Sequence, residues 1–323
     1  MRELYTKLCE KEPLIPIFSQ PWWLDMVCGI QKWDVALVEK NGVILAAMPY
    51  YISRPNVMGM PPLTQTLGPW FRQGEGSYTK MLSSQMRLMD TLIDQLPKTK
   101  QFSQKFNYSI TNWLPFYWRG FEQTTHYTYV IDDLSSETEL WKNLEGKIRT
   151  DIKKAQNRFG VEVKTNLPDS QFLEVHSKTF ERQKMRPPNS RLVESILKKS
   201  REKNMGKSFF AVDQEGVIHA VALLVWNNAS AYYLLGSGDS KLRKSGAQSL
   251  LMWEMIKFSS TVTSRFDFEG SMIKPIEKHF RAYGAKQCPY FRIYFDHRNF
   301  AERLLACTKI KMSQIYCRVR GQK

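Results

Sequence analysis

One stretch of this chain, from Tyr232 to Tyr294, constrains the fold more than any other. Apolar runs of strand length, Tyr232–Leu235 and Arg265–Phe268, flank a segment whose apolar residues mostly follow helical spacing. A second helical segment follows, and Pro289–Phe295 is a final apolar strand. The order strand, turn, helix, strand, helix, strand predicts an α/β (α+β) unit built on a mixed sheet.

A basic turn that contains a glycine leads into the first of these helices. The first turn of a helix presents unpaired backbone N–H groups and a positive dipole end, which suit a phosphate or pyrophosphate group. We therefore predict that the turn binds the phosphates of a donor; the alternative is that it only begins the helix. Gly246 lets a ligand approach the backbone closely, so we expect Gly246→Val to abolish donor binding at little cost to the fold. The residues of this candidate cofactor site are Arg243, Lys244, Ser245, Gly246 and Ala247.

Two carboxylates alternate in the segment Phe266–Ser271, which has the pattern of a half-buried strand. Alternate residues of a strand point to one face, so Asp267 and Glu269 are expected on the same side. Transfer of an acyl group to an amine needs a base for the amine's proton. Either carboxylate is a candidate for that base, with Ser271 as a further catalytic candidate. The alternative is that a carboxylate at a strand end only caps a neighbouring helix.

Candidate substrate-binding residues lie on several predicted elements. A helix that begins after the sequence Leu134-Ser135-Ser136-Glu137 carries a dense set of lysines and arginines, which can contact a phosphate backbone or a nucleotide-sugar diphosphate. An ordinary solvated helix face explains the same pattern equally well. The candidates for substrate binding are Arg149, Lys153, Tyr233 and Lys274.

The two halves of the chain repeat one plan. ALVEKNGVILAAMPYY, from Ala36, aligns with FAVDQEGVIHAVALLV, from Phe210, and each predicts a hairpin with a glycine turn. In the first half, a helix is predicted from Tyr78 to Leu96 and a strand from Phe106 to Ile110. Two tandem copies of one α/β unit are therefore predicted; the alternative is a chance similarity between two hairpins.

The two copies differ in their chemistry. The counterpart of the basic turn in the first copy is the loop Gly68–Gly76, which contains Trp70 and Phe71. Bulky side chains beside a proline make a poor phosphate site, so the first copy is predicted to have a supporting or acceptor-binding role. The predicted domains are residues 1–134 and residues 135–323, with the acyl-donor site in the second.

The net charge and the distribution of cysteines and histidines restrict which partners, disulfides and metal sites are expected. The net charge of +16 predicts an anionic partner: nucleic acid, a phosphorylated substrate or an anionic membrane surface. The five cysteines and five histidines are scattered, so no disulfide framework and no metal site are predicted. No apolar run approaches transmembrane length and the N-terminus lacks the apolar centre of a secretory signal, so a cytoplasmic protein is expected.

The second half resembles known acyltransferases. The basic turn matches the pyrophosphate signature of the GNAT fold at Arg243 and Gly246, and departs from it at Gln248, where the family has a small residue. The segment from Gly246 through FDFEGS to FRAYGA resembles the Fem family of peptidoglycan-bridge aminoacyltransferases and its BioF2-like acyltransferase relatives. So does the segment that begins at Lys147 with KIRTDIKKA.

This resemblance implies two GNAT-like domains side by side, each a mixed β-sheet flanked by helices. It also implies acyl-CoA or aminoacyl-tRNA as the donor and an amine on a cell-envelope precursor as the acceptor, without a metal. The expected activity is therefore that of an acyltransferase or aminoacyltransferase. The alternative from another class is a non-catalytic binding module for nucleic acid or an anionic glycan.

Overall fold

The computed structural model describes residues 1–182, 189–270 and 272–298, with the side chains of residues 180–182 left aside. Two compact units divide this part of the chain. The first comprises Met1–Thr128 and Cys288–Arg298, and the second comprises Tyr129–Gln287. The chain therefore returns to the first unit with the last of the described strands.

The first unit is a mixed sheet with helices. Its helices are α1 (Arg2–Lys11), α2 (Pro21–Cys28), α3 (Tyr78–Gln95) and α4 (Leu114–Trp118). Its strands are β1 (Trp33–Lys40), β2 (Val43–Arg54), β3 (Val57–Gly59), β4 (Trp70–Phe71), β5 (Gln101–Lys105), the start of β6 (Glu122–Ile131) and, after the second unit, most of β12 (Lys286–Asp296). Five strands lie in the order β1-β2-β3-β5-β12, and β4 pairs with β2. The β3–β5 pair is parallel, while β1–β2 and β5–β12 are antiparallel.

The predicted hairpin and the predicted long helix of the first unit are confirmed. Asn41 and Gly42 both have positive φ, as the tight turn between β1 and β2 requires. Met89 and Leu92 of α3 lie in one buried cluster with Ala46 of β2 and Phe102 of β5. This buried face accounts for its amphipathic pattern.

One strand prediction in the first unit is wrong. The strand lies at Gln101–Lys105, and the predicted Phe106–Ile110 lies outside it. In β5 the two buried positions are Phe102 and Gln104, and the Gln104 amide donates a hydrogen bond to the Pro49 carbonyl. A buried glutamine hides the alternation of apolar residues from which a strand is recognised.

The second unit is also a mixed sheet with helices. Its helices are α5 (Glu137–Asn143), α6 (Gly146–Phe159), α7 (Asp169–Arg182), α8 (Ser190–Glu202), α9 (Ala247–Ser259) and α10 (Lys274–Arg281). Its strands are the end of β6, β7 (Glu162–Lys164), β8 (Gly206–Val212), β9 (Ile218–Trp226), β10 (Ala231–Gly238) and β11 (Phe266–Asp267). They lie in the order β6-β11-β10-β9-β8-β7, and the only parallel neighbours among these described strands are β10 and β11.

Helices cover both faces of this second sheet. Alternate residues of β9, including Ala222 and Leu224, join one buried cluster with Leu250 of α9. The intervening residues of β9, such as Leu223, are equally buried but lie outside that cluster, and α7 packs against β9 and β10. Because both faces are buried, β9 reads as a nearly continuous apolar run rather than an alternating one.

The predicted fold class is therefore confirmed in each unit taken by itself. Both contain a mixed sheet flanked by helices. None of the helices among the described residues is long and apolar enough to cross a bilayer.

Candidate acyl-donor site

The candidate site of the second unit lies where two parallel strands separate. Strands β10 and β11 pair only at Ala231 with Phe266 and at Tyr232 with Asp267. Strand β11 ends at Asp267, whereas β10 continues to Gly238 and carries a register shift between Tyr233 and Leu235. Beyond Tyr232, β10 therefore has no partner on the β11 side among the described residues. Ligands of α/β sheets bind at such carboxyl ends of parallel strands.

The basic turn stands beside this opening because it connects β10 to α9. Arg243–Ser245 form a single 3-10 turn, Gly246 is left-handed with φ +83°, and α9 begins at Ala247. Arg243 and Lys244 are exposed, while Ser245 and Ala247 are buried. Within the described residues, the backbone N–H groups of Gly246 and Gln248 donate to no protein acceptor. The start of α9 therefore offers free N–H groups and exposed positive charge at one place.

Gly246 is required by packing, which the sequence did not indicate. A Cβ atom at this position would lie 2.2 Å from the carbonyl oxygen of Asp151 in α6, and the left-handed φ disfavours any side chain. The expectation that Gly246→Val would cost the fold little is therefore wrong. The assignment of Gly246 to donor binding stays a prediction.

The two candidate carboxylates do not share a strand face. The strand ends at Asp267, and Glu269 has a left-handed φ of +59°, so the predicted alternation does not extend to it. Asp267 is buried, and its Oδ1 accepts a hydrogen bond from the Glu269 N–H at 2.8 Å. Glu269 is half-buried, and Ser271 lies outside the described residues. Of the two carboxylates, Asp267 stands directly at the point where β10 and β11 separate.

Tyr233 also lies at this point, next to the last paired residue of β10. The Gln248 amide of α9 donates a hydrogen bond to its hydroxyl oxygen at 3.1 Å, and burial raises the pKa of Tyr233 to about 12. A Cβ atom at Gly236 would meet that hydroxyl group at 1.5 Å, so Gly236 makes room for it. The phenol is therefore protonated at neutral pH and held between β10 and α9.

The other substrate-binding candidates lie elsewhere on the surface. Lys153 is exposed on α6, and Lys274 is exposed at the start of α10. Arg149 is engaged by the protein: its Nη1 donates to the carbonyl oxygens of Trp141, Lys142 and Leu144 at 3.3, 3.0 and 2.6 Å. These carbonyls end α5, so Arg149 caps a helix C-terminus, where a positive charge is favourable.

The capping role of Arg149 gives a stability prediction. Arg149→Ala leaves several carbonyls of α5 without their charged donor, so we expect the free energy of unfolding to fall by about 1–3 kcal/mol in urea denaturation. The matched control Lys153→Ala removes an exposed charge from the same helix and is expected to change stability by less than about 0.5 kcal/mol. Equal effects of the two substitutions would contradict the capping role.

A hydrogen-bond relay that the sequence did not reveal connects the basic turn to β9. His219 Nδ1 lies 2.9 Å from Ser245 Oγ, and His219 Nε2 lies 2.9 Å from Asp213 Oδ2. Burial raises the pKa of Asp213, but hydrogen bonds from His219 and from the Val217 and Glu215 N–H groups outweigh it and hold the pKa below its ordinary value. The sequence feature that could have indicated this relay is the lone histidine inside the apolar run of β9, IHAVALLVW.

A second polar cluster lies between α9 and α10. The Tyr283 hydroxyl group is 3.4 Å from His279 Nε2, and burial raises the pKa of Tyr283. Burial lowers the pKa of His279, and the nearby Lys147 lowers it further against the opposing effect of Asp151. His279 is therefore held towards its neutral form. In the described part of the chain, no group of histidine, cysteine or acidic residues is arranged to hold a metal ion.

Comparison with known families finds one match, which lies within this unit. Residues 142–271 match the family described as "Acetyltransferase (GNAT) domain". This segment is therefore similar to a GNAT domain. It contains the separated ends of β10 and β11, the basic turn and α9, so the GNAT match covers the whole candidate donor site. No curated protein matches the chain in sequence.

Solved structures extend the GNAT likeness to most of the chain. The crystal structure of FemX is similar with a TM-score of 0.65 at 11% identity, covering 88% of this chain and 95% of that one. The C-terminal domain of a putative lysylphosphatidylglycerol synthetase from Agrobacterium fabrum is similar with a TM-score of 0.54 at 12% identity, covering 88% and 90%. A tandem GNAT protein from the clavulanic acid biosynthesis pathway gives 0.50 at 10% identity, covering 92% and 94%.

These likenesses confirm the resemblance to the Fem and GNAT acyltransferases at the level of fold. The fold is that of tandem GNAT-like domains. A GNAT domain supports acyl transfer as the general class of activity and acyl-CoA as its general co-substrate.

Proposed function

We propose that the second unit transfers an acyl or aminoacyl group from a phosphate-bearing donor, acyl-CoA or aminoacyl-tRNA, to an amine. The observation that carries this proposal is the separation of β10 from β11 beside the start of α9. The opening lies next to exposed Arg243 and Lys244 and to the N–H groups of Gly246 and Gln248. An extended donor chain can enter between the strands while its phosphates meet the positive end of the helix.

The chemistry assigned to the site is direct transfer. The acceptor amine attacks the acyl carbonyl carbon, its proton passes to a base, and the C–S or C–O bond to the donor breaks. Asp267 is our candidate for the base, with Glu269 as the alternative. Because the pKa of Tyr233 is raised to about 12, its hydroxyl group stays protonated and can donate a hydrogen bond to the departing thiolate or alkoxide.

A supporting or acceptor-binding role is proposed for the N-terminal domain, residues 1–134, with donor binding in residues 135–323. The loop Gly68–Gly76 supports this division because the groups of its first half are already engaged. Trp70 and Phe71 form β4, Arg72 is ion-paired with Glu12 at 2.7 Å, and a Cβ atom at Gly68 would meet Phe106 at 2.5 Å. The part of the loop from Gly68 to Arg72 is therefore occupied by contacts within the protein.

The proposed acceptor is an amine on a cell-envelope precursor, reached from the cytoplasmic side. The named likenesses to FemX and to a putative lysylphosphatidylglycerol synthetase favour this class. Met272, Ile273 and Ile276 are exposed beside exposed Lys274, a combination that suits peripheral contact with an anionic membrane. Cys9 and Cys28 are buried thiols, which fit a reducing compartment.

The proposed donor can be tested by thermal shift. Coenzyme A, acetyl-CoA and an aminoacyl-tRNA are each titrated against the full chain, because a ligand stabilises the fold according to its excess over its dissociation constant. Stabilisation by acetyl-CoA or by the charged tRNA identifies the donor. Stabilisation by uncharged nucleic acid or an anionic glycan, with neither donor bound, would favour the non-catalytic binding module.

Removal of the positive charge of the turn gives a further prediction. We expect Arg243→Ala combined with Lys244→Ala to weaken donor binding about tenfold or more and to reduce its dependence on salt. The charge-matched control is Lys198→Ala combined with Lys199→Ala on α8, which should leave binding within about twofold. Equal affinities of both double variants, measured by titration calorimetry at two salt concentrations, would exclude the turn as the phosphate site.

A further inference from the structure

We infer that Asp213 and His219 are positioning residues for the donor turn, because together they fix the hydrogen-bonding state of Ser245. The inference rests on the proposed function for the role of the turn, and on the geometry for the relay itself. Ser245 and His219 are both buried, and the bonds from His219 to Ser245 and to Asp213 each span 2.9 Å.

With a neutral His219 ring, one arrangement of protons satisfies all these groups. The Asp213 carboxylate can only accept hydrogen bonds, so His219 Nε2 carries a proton and donates to it. The Nδ1 atom of the neutral ring then has a lone pair and accepts the hydroxyl proton of Ser245. The lone pairs of Ser245 Oγ are left for the Ala247 N–H, which donates to it at 3.2 Å. Asp213 thus sets, through His219, which way the Ser245 hydroxyl group points.

The relay ties the donor turn to the sheet. The backbone around the turn is held by two local bonds, from the Leu242 N–H to Asp239 and from the Ser245 N–H to Leu242, and by the Asp239 N–H, which donates to the His219 carbonyl oxygen at 2.9 Å. The Ser245 side chain joins this turn to β9, directly before the N–H groups of Gly246 and Gln248. A fixed Ser245 therefore fixes the direction of those groups before a phosphate arrives, which lowers the ordering cost of binding.

Asp213→Asn tests the relay because an amide cannot replace this carboxylate. Asp213 Oδ1 accepts the Val217 N–H at 2.8 Å while Oδ2 accepts from His219. Asparagine has one accepting oxygen, so it must lose one of these two bonds. If the oxygen keeps Val217, the amide N–H faces His219 and forces the ring proton onto Nδ1, which reverses the bond to Ser245.

Two further variants complete the design. His219→Phe keeps a ring of similar size but removes the Nδ1 acceptor of Ser245. Its effect therefore does not depend on which way the amide of Asp213→Asn turns. Asp239→Asn is the matched control: it removes the same charge from the loop that leads to the donor turn, but among the described residues only Oδ1 of Asp239 accepts a bond, from the Lys241 N–H at 2.8 Å. An asparagine oxygen can keep that bond.

The experiment measures amide hydrogen exchange of Ala247 without ligand and then the affinity for coenzyme A and for an aminoacyl-tRNA. For Asp213→Asn and His219→Phe we expect Ala247 to exchange about tenfold faster and the affinity for the bound donor to fall roughly fivefold to tenfold. In turnover assays the donor KM should rise while kcat stays within about twofold. Asp239→Asn should match the parent in all three measurements.

Unchanged exchange in both relay variants would overturn the inference, and so would faster exchange with unaltered donor affinity, because the relay would then have a structural role only. If the parent protein binds neither probe, the donor proposal itself fails. The exchange rates, which need no ligand, then decide by themselves whether the relay orders the turn.

Discussion

Asp267→Asn is expected to lower turnover by about 10²–10⁴-fold while leaving donor binding intact. Asp267 is buried at the end of β11, beside the point where β10 separates from it. An asparagine at this position keeps the shape of the side chain and an oxygen for the Glu269 N–H, but it cannot take a proton from an amine. The measurement is the steady-state rate of acyl transfer to an amine acceptor, with donor affinity determined separately.

Two companion variants make this result specific. Glu269→Gln tests the alternative base, since Glu269 is half-buried two residues further along the chain. Asp132→Asn is the matched control, because Asp132 is paired at the surface with Arg265, next to the same strand. Loss of activity in Glu269→Gln alone would move the role of base to Glu269. Unchanged turnover in both Asp267→Asn and Glu269→Gln would remove these carboxylates from the mechanism.

Local sequence patterns predicted the structure correctly where a property of one short segment determines its conformation. The Asn41-Gly42 pair predicted its turn because positive φ is needed there and few residues adopt it. The amphipathic spacing of α3 predicted its limits almost to the residue. The strand–turn–helix order around Gly246 predicted the β10–α9–β11 connection on which the candidate site depends.

Tertiary contacts decided what the sequence could not predict. β5 is recognised only once Gln104 is seen to be buried with its amide bonded to Pro49. Arg149 looked like one of many basic residues on a helix, and only the end of α5 shows what it binds. Asp213, His219 and Ser245 are separated along the chain, and the pairing of β8, β9 and β10 brings them together. Contacts between residues this far apart in the chain cannot be predicted from a single sequence without the fold.

Gly246→Ala is expected to destabilise the second unit by roughly 2–5 kcal/mol, which combines the strain of a left-handed residue with overpacking against α6. The added Cβ atom would lie 2.2 Å from the Asp151 carbonyl oxygen, and backbone cannot move aside as a flexible side chain can. Denaturant unfolding of the parent and variant proteins measures the loss.

Gly216→Ala separates the two contributions to this loss. Gly216 has almost the same φ, +82° against +83°, but nothing lies within 4 Å of its Cβ position. It therefore reports the conformational cost alone, about 1–2 kcal/mol. The excess loss in Gly246→Ala measures how closely α6 approaches the donor turn. If both alanines cost the same, α6 does not hold the turn, and Gly246 is then explained by its backbone conformation and by the approach of a ligand.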